Sequence, residues 1–313
     1  MGHTGISRCR GSYPPRVKSP RPRQPIGWYV AWVGSVVFAF FGLTYASQIG
    51  FGYDSHAYWS AIQDMDHLYG APALSRDAYL YSPAFAQALW PLGRLPWPVF
   101  WLVWSGLLLS AFVWLLRPLA ARWFAPAMVA VVPEIVTGNI YALMAVAIVL
   151  GTSRGSWWSF LALTKVTPGM VGFAWFVGER RWRALAEAVA TTAGLVVISC
   201  LTLPQQWRDW VDFLRSGTGA SASTLGVVLL VAALALAVFG AVTRRPWVLP
   251  VAVILASPTF GVNTLTLLAA APRLRSSRDR ERRFSGPGGA RPRARRPEDL
   301  RDSPRPLKRA VDP

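Results

Sequence analysis

The chain holds 313 residues, 53% of them A, V, I, L, M, F, W, Y or C, and 26 more are glycine. That apolar share lies above the roughly 45–50% of ordinary globular domains and argues against a soluble enzyme. Lys and Arg number 33 against 15 Asp and Glu, a formal net charge of +18, yet 20 of the basic residues fall in 1–25 and 272–313; arginines flanking an apolar body read as anchors facing anionic lipid, not as a nucleic-acid surface.

Residues 1–25, with six Lys/Arg and five Pro, and the Arg/Pro/Gly-rich residues 272–313 show no periodic apolar pattern and are expected to be disordered cytoplasmic tails. Between them apolar stretches recur at 26–46, 83–95, 97–116, 125–137, 140–152, 157–177, 184–203, 224–242 and 247–271. Several are shorter than the ~20 residues that span a bilayer, so some must be broken, tilted or re-entrant. The expectation is an all-α, polytopic transmembrane helical bundle over 26–271, with about nine or ten passes and interfacial helices in its outer loops. The first run is too long for a signal-peptide core and is expected to stay as a membrane helix. Basic GERRWR at 178–183 and TRR at 243–245 lie on the inner side under the positive-inside rule, which puts 47–82 and 204–223 outside a plasma membrane, with both tails within. The final stretch then crosses twice, as two short halves bent at Ser257-Pro258. Cys9 and Cys200 stand in opposite environments, so no disulfide framework is expected.

Residues 50–83 crowd acids, histidines and tyrosines against membrane-facing aromatics. Asp54 follows the first apolar run within a few residues; it reads either as a helix cap or as a base for proton abstraction at the outer surface. From Ser55 the spacing of Ala57, Trp59, Ala61, Ile62, Met65, Leu68 and Tyr69 predicts a short amphipathic helix lying in the interface. His56 reads as an interface histidine or a ligand for phosphate or acceptor. Asp64, Asp66 and His67 read as a solvated loop face or as ligands of a divalent cation. Tyr81, in Y-x-Y-S-P, belongs to an aromatic belt or stacks on sugar.

Further along, Glu134 precedes Gly138-Asn139 at a membrane edge or cavity, and Asn139 either hydrogen-bonds sugar or satisfies a helix turn. Lys165, nine residues into the 157–177 stretch, needs a cavity or a partner: a phosphate, Glu134, or a snorkelling path to the surface. In 204–215, Trp207, Trp210, Val211 and Leu214 recur at helical spacing, an interfacial helix on which Arg208 or Arg215 guides a lipid phosphate or pairs with an aspartate.

The order of these elements resembles glycosyltransferase family 87, GT-C membrane enzymes that include the polyprenyl-phosphomannose-dependent mannosyltransferases of actinobacteria. The likeness is carried by D-x-x-x-Y (Asp54 to Tyr58), Leu68-Tyr69, Y-x-Y-S-P with the following run to PLGRLP (79–96), GNIYALMAVAIVL (138–150), LTKVTPGM (163–170) and ILASPTF (254–260). Beyond the late Ser-Pro, where family members often carry a histidine, this chain has Gly261-Val262-Asn263. The resemblance implies a GT-C-like bundle and an inverting transfer of a sugar, mannose by analogy, from a polyprenyl-phosphate donor to an envelope glycolipid or glycan. Asp54 would be the base, and His56, Tyr58, Tyr81, Asn139, Lys165 and Arg208 would contact the substrates. No cofactor, metal or nucleic acid is expected, and neither a Walker loop nor a G-x-G-x-x-G occurs. A transporter or flippase of lipid-linked intermediates, or a noncatalytic envelope scaffold, is the competing reading; the chain lacks the repeated halves of many transporters.

Overall fold

The computed structural model describes residues 25–72, 75–215, 223–258 and 261–275, and every regular element among them is helical. The first apolar run forms α1 (Ile26–Ile49), a rod of 24 residues. At 1.5 Å per residue it exceeds the ~30 Å hydrocarbon thickness. Val30, Val33, Val36, Val37, Phe40 and Phe41 stand exposed along it, an apolar surface that only lipid can cover. After a glycine turn come α2 (Tyr53–Gln63), α3 (Pro83–Gly93) and α4 (Trp97–Leu116). Four segments, Ile26–Gln63, Trp97–Leu116, Trp182–Thr202 and Thr224–Val242, are long and apolar enough to cross a membrane.

The other apolar stretches are broken helices, and proline explains most of the breaks. The 125–137 stretch divides at Val131 into α5 (Ala121–Ala130) and α6 (Val132–Thr137); Pro133 supplies no N–H to the preceding turn. After α7 (Tyr141–Gly151), the 157–177 stretch is not the continuous helix its composition suggests. It splits into α8 (Trp158–Thr164) and α9 (Val166–Glu179), with Lys165 in extended backbone between them. Pro168 would clash with the Thr164 carbonyl in an unbroken helix, so the chain bends at the lysine. Next come α10 (Trp182–Thr202), the amphipathic α11 (Pro204–Arg215), α12 (Thr224–Val242) and α13 (Leu249–Ala256). The bend expected at Ser257-Pro258 is present. Beyond it Val262–Ala270 forms a nine-residue 3₁₀ segment packed on α7 and α13, unusually long for that helix type.

Trp104, Trp158, Trp175, Phe100 and Phe112 are fully buried where α4, α8 and α9 meet their neighbours. The sequence boundary at 271 falls short: residues 271–275 are helical, Leu274 is buried, and Arg273 donates from Nε to the Trp114 carbonyl at 2.6 Å with its guanidinium 3.7 Å over the Trp114 ring. The tails expected over 1–24 and 276–313, with Cys9, lie outside the described residues; Cys200 is a free thiol.

Candidate active site

Three interruptions of helix converge on one spot. The first is the turn between α1 and α2, where Gly52 takes φ +71°, a left-handed conformation that costs glycine little. A Cβ there would meet the Trp97 and Trp101 rings at 2.8 Å. The Gly52 N–H donates to the Val136 carbonyl at 2.8 Å, tying this turn to α6. Gly52 is the N-cap of α2, so Asp54 lies inside the first helical turn and makes no capping bond. The cap reading of Asp54 therefore falls.

The second interruption is Thr137-Gly138-Asn139, between α6 and α7. Gly138 has φ +78° and lies so close to Ser55 that any Cβ would strike the Ser55 hydroxyl; its carbonyl accepts the Trp104 indole N–H at 2.7 Å. The Asn139 Oδ1 accepts the Ile140 N–H at 2.7 Å, which leaves its amide protons facing outward. The half-buried Asp54 carboxylate lies beside this turn, close enough to Asn139, Thr137 and Lys165 for all three to act on its charge.

The third is Lys165 itself. Its Nζ donates to the Tyr141 hydroxyl at 2.7 Å and stands 4.2 Å from the centre of that ring. The pairing with Glu134 weighed from the sequence is not among the ion pairs of the described residues. Glu134 is fully buried; its Oε1 accepts the Tyr141 N–H at 3.1 Å, while Oε2 has no partner among the described residues. The 3₁₀ segment closes the cluster: the Thr264 hydroxyl donates to Tyr141 at 3.1 Å, and Asn263 Nδ2 donates to Thr137 Oγ1 at 3.0 Å.

The remaining sequence candidates divide. Tyr58 and Tyr81 are buried beside the cluster with their hydroxyls 3.1 Å apart, so Tyr81 is a packed side chain and not part of an interface belt. Burial holds the Tyr81 phenol well above the ordinary tyrosine range, which keeps it a neutral donor. Helix α2 likewise does not lie free in the interface: Ser55, Ala57, Tyr58, Ala61 and Ile62 are buried against α3 and α4, since those small and aromatic side chains share one helical face. His56, about 200° round the helix from Asp54, faces the loop instead; its Nδ1 lies 2.6 Å from Asp77 Oδ1 and its ring packs edge-on to Trp97. Arg208 is exposed on α11 with no polar partner among the described residues, outside the cluster. Arg215 pairs with Asp212 at 3.7 Å on a wet face. His67 and Asp64 form an exposed pair at 3.0 Å.

Thr137, Tyr141, Asn263 and Thr264 escaped the sequence reading as site residues. Each is a neutral polar residue inside or beside an apolar run, and only the packing of α7 on the 3₁₀ segment brings them together. What results is a carboxylate beside neutral polar side chains with an ammonium close by, backed by buried tyrosines and a tryptophan. Such a site can accept a proton from a hydroxyl and stabilise charge developing on a leaving group.

No curated protein and no solved structure matches the chain. The profile of glycosyltransferase family 87 matches residues 79–286, a span that includes Tyr81, Glu134, Thr137, Asn139, Tyr141, Lys165 and Asn263, while Asp54 lies before it and joins the same site through the fold. With two thirds of its length under that match and its helices built for lipid, the chain is a membrane protein belonging to glycosyltransferase family 87.

Proposed function

We propose that this glycosyltransferase moves a sugar, mannose by family analogy, from a polyprenyl-phosphate donor to an envelope glycolipid or glycan on the outer face of the plasma membrane. The observation that carries the reading is the convergence of Asp54 and Lys165: a carboxylate in the first turn of α2 and an ammonium at the α8–α9 break, from distant segments, near enough for the lysine to act on the carboxylate's charge without forming an ion pair.

Asp54 takes the proton of the acceptor hydroxyl. The acceptor oxygen attacks the anomeric carbon, and the bond from that carbon to the phosphate oxygen breaks. The polyprenyl phosphate leaves with the electron pair, next to the Lys165 ammonium. A single displacement inverts the anomeric configuration. Asn139 and Thr137 lie beside the carboxylate, and the buried Tyr58 and Tyr81 back the site from within the core. An apolar cavity of about 490 Å³ between α1, α5 and the 3₁₀ segment has the chemistry to shelter a hydrocarbon tail, lined by residues such as Val30, Phe38, Val131, Leu265 and Ala269.

The test supplies purified protein in detergent with radiolabelled polyprenyl-phosphate mannose and extracted envelope lipids. Labelled glycolipid is expected from the wild type. Asp54→Asn, which keeps shape and hydrogen bonds, is expected to lower kcat at least a thousandfold at an unchanged melting temperature. Folded wild-type protein that labels no lipid with any polyprenyl-phosphate sugar overturns the donor assignment, and an active Asp54→Asn overturns the base.

A further inference from the structure

We infer that Tyr141 is a second phosphate-binding residue: its hydroxyl proton donates, beside the Lys165 ammonium, to an oxygen of the departing polyprenyl phosphate. The inference rests on the polyprenyl-phosphate donor proposed above. A phenol carries one hydroxyl proton on an oxygen that also accepts. The Tyr141 oxygen accepts twice, from Lys165 Nζ at 2.7 Å and from the Thr264 hydroxyl at 3.1 Å. Thr264 is fully buried and has no other acceptor among the described hydrogen bonds, so its proton goes to Tyr141. With both accepting positions taken, the Tyr141 proton is directed away from Lys165 and Thr264, and it finds no acceptor among the described residues. Glu134 Oε2, the buried acceptor left over in this cluster, does not take it, being without a partner itself. Buried hydroxyls are nearly always paired, so an unpaired proton on a side chain only 3% exposed calls for an acceptor from outside the chain.

Three segments hold that hydroxyl in place. Glu134 on α6 accepts the Tyr141 N–H at 3.1 Å at the start of α7, the 3₁₀ segment supplies Thr264, itself fixed by the Gly261 N–H at 3.2 Å, and the α8–α9 break supplies Lys165. An ammonium carries three protons, and the two that Lys165 does not give to Tyr141 also lack an acceptor among the described residues. What remains unpaired around these two atoms, 2.7 Å apart, is therefore donors alone, on a cation and on the phenol beside it. Adjacent donors of this kind match two oxygens of one phosphate group, and hydrogen bonds to charged oxygen are the strong ones. An alcohol would also need an acceptor for its own proton; a phosphate ester oxygen needs only donors. The bond from the ammonium to the phenol oxygen polarises the hydroxyl and makes its proton a better donor. No proton is transferred. The bond from the anomeric carbon to the phosphate oxygen breaks, the phosphate keeps the electron pair, and the Tyr141 proton stays on its own oxygen while its bond to the phosphate strengthens with the growing charge.

The test titrates undecaprenyl phosphate, undecaprenol and inorganic phosphate into the full-length protein in detergent by calorimetry, with a melting curve for each variant. The wild type is expected to bind undecaprenyl phosphate more tightly than undecaprenol, and inorganic phosphate at equal concentration is expected not to displace it. Tyr141→Phe, which keeps the ring and removes the hydroxyl, is expected to bind undecaprenyl phosphate about tenfold more weakly and undecaprenol as before. Placed in a Lys165→Met background, the same substitution is expected to cost about threefold or more again, whereas a phenol that only holds the ammonium would then cost nothing. Replacement of Tyr141 by 3-fluorotyrosine keeps the contacts and makes the hydroxyl a better donor and a poorer acceptor; it is expected to tighten undecaprenyl phosphate binding about twofold, and it carries the test should phenylalanine lower the melting temperature. A folded Tyr141→Phe that binds undecaprenyl phosphate like the wild type, no further loss in the Lys165→Met background, or a 3-fluorotyrosine protein that binds no more tightly overturns the role of Tyr141 alone. A wild type that binds undecaprenyl phosphate no better than undecaprenol, or that releases it to inorganic phosphate, overturns the donor assignment and this role with it.

Discussion

Lys165 shows how a single charged side chain can be kept in an apolar body. An ammonium in hydrocarbon costs several kcal/mol unless it meets a cavity or partner. Here the helix breaks at the lysine, and its Nζ reaches the Tyr141 hydroxyl at 2.7 Å over the face of the same ring. A neutral phenol and a ring quadrupole offset part of the desolvation but leave the charge unneutralised, so the site retains its attraction for an anion. Lys165→Met is expected to lower kcat a hundred- to thousandfold, the typical loss when one charge-stabilising donor is removed, and to leave the melting temperature in detergent unchanged or raised, since methionine fills a similar volume without a buried charge. Lys165→Arg keeps the charge but not the compact ammonium, and is expected to fall between wild type and methionine. A methionine variant that unfolds at lower temperature yet transfers at the wild-type rate would assign the lysine to structure alone.

At the scale of elements, the site is made by interruptions of helix more than by the helices themselves. Gly138 is the clearest case, with φ +78° and its Cα against the Ser55 hydroxyl. An alanine there costs about 1–2 kcal/mol for the left-handed backbone before any steric overlap is counted. Gly138→Ala is expected to lower the melting temperature by several degrees and to reduce kcat strongly, because relief of the clash moves α2, and Asp54 with it, away from Asn139 and Thr137. Gly194→Ala on α10, where an added Cβ meets open space, is the control expected to leave both unchanged. The same contrast explains what was legible in the sequence. Residues 97–116 and 224–242 form helices to the residue, since an apolar run flanked by Pro or Arg leaves no other option. Asp54 and Lys165 stood out as charges against an apolar background. The break at Lys165 did not, because its cause is Pro168, three residues on and compatible with a helix start. Thr137 gave no signal at all and Asn263 stood out only as a departure beyond the late Ser-Pro, because the two meet only when residues 126 positions apart are folded together.

Across the whole molecule, charge and chemistry are segregated along the chain. The residues between the flanks place Asp54, Asp64, Asp66 and Asp77 in one connecting region, while Arg180, Arg181 and Arg183 gather at the turn from α9 to α10. Arg181 is fixed there by bonds to the Thr152 and Ser153 carbonyls at 2.7 and 3.2 Å, so this basic turn is a built feature and not a passing cluster. In the proposed orientation, which follows the positive-inside bias, the arginine turn faces the cytoplasm and the aspartate region the exterior. The two must therefore differ in access. In a chain with Cys9 and Cys200 replaced by alanine, Asp66→Cys is expected to react with a membrane-impermeant maleimide added outside intact cells, and Arg183→Cys to react only after the membrane is permeabilised; both positions are exposed on the protein itself, so neither result depends on local unfolding. The reverse pattern would turn the Asp54 site towards the cytoplasm and exchange the exterior acceptor for one made inside, while leaving the convergence of Asp54 and Lys165 intact.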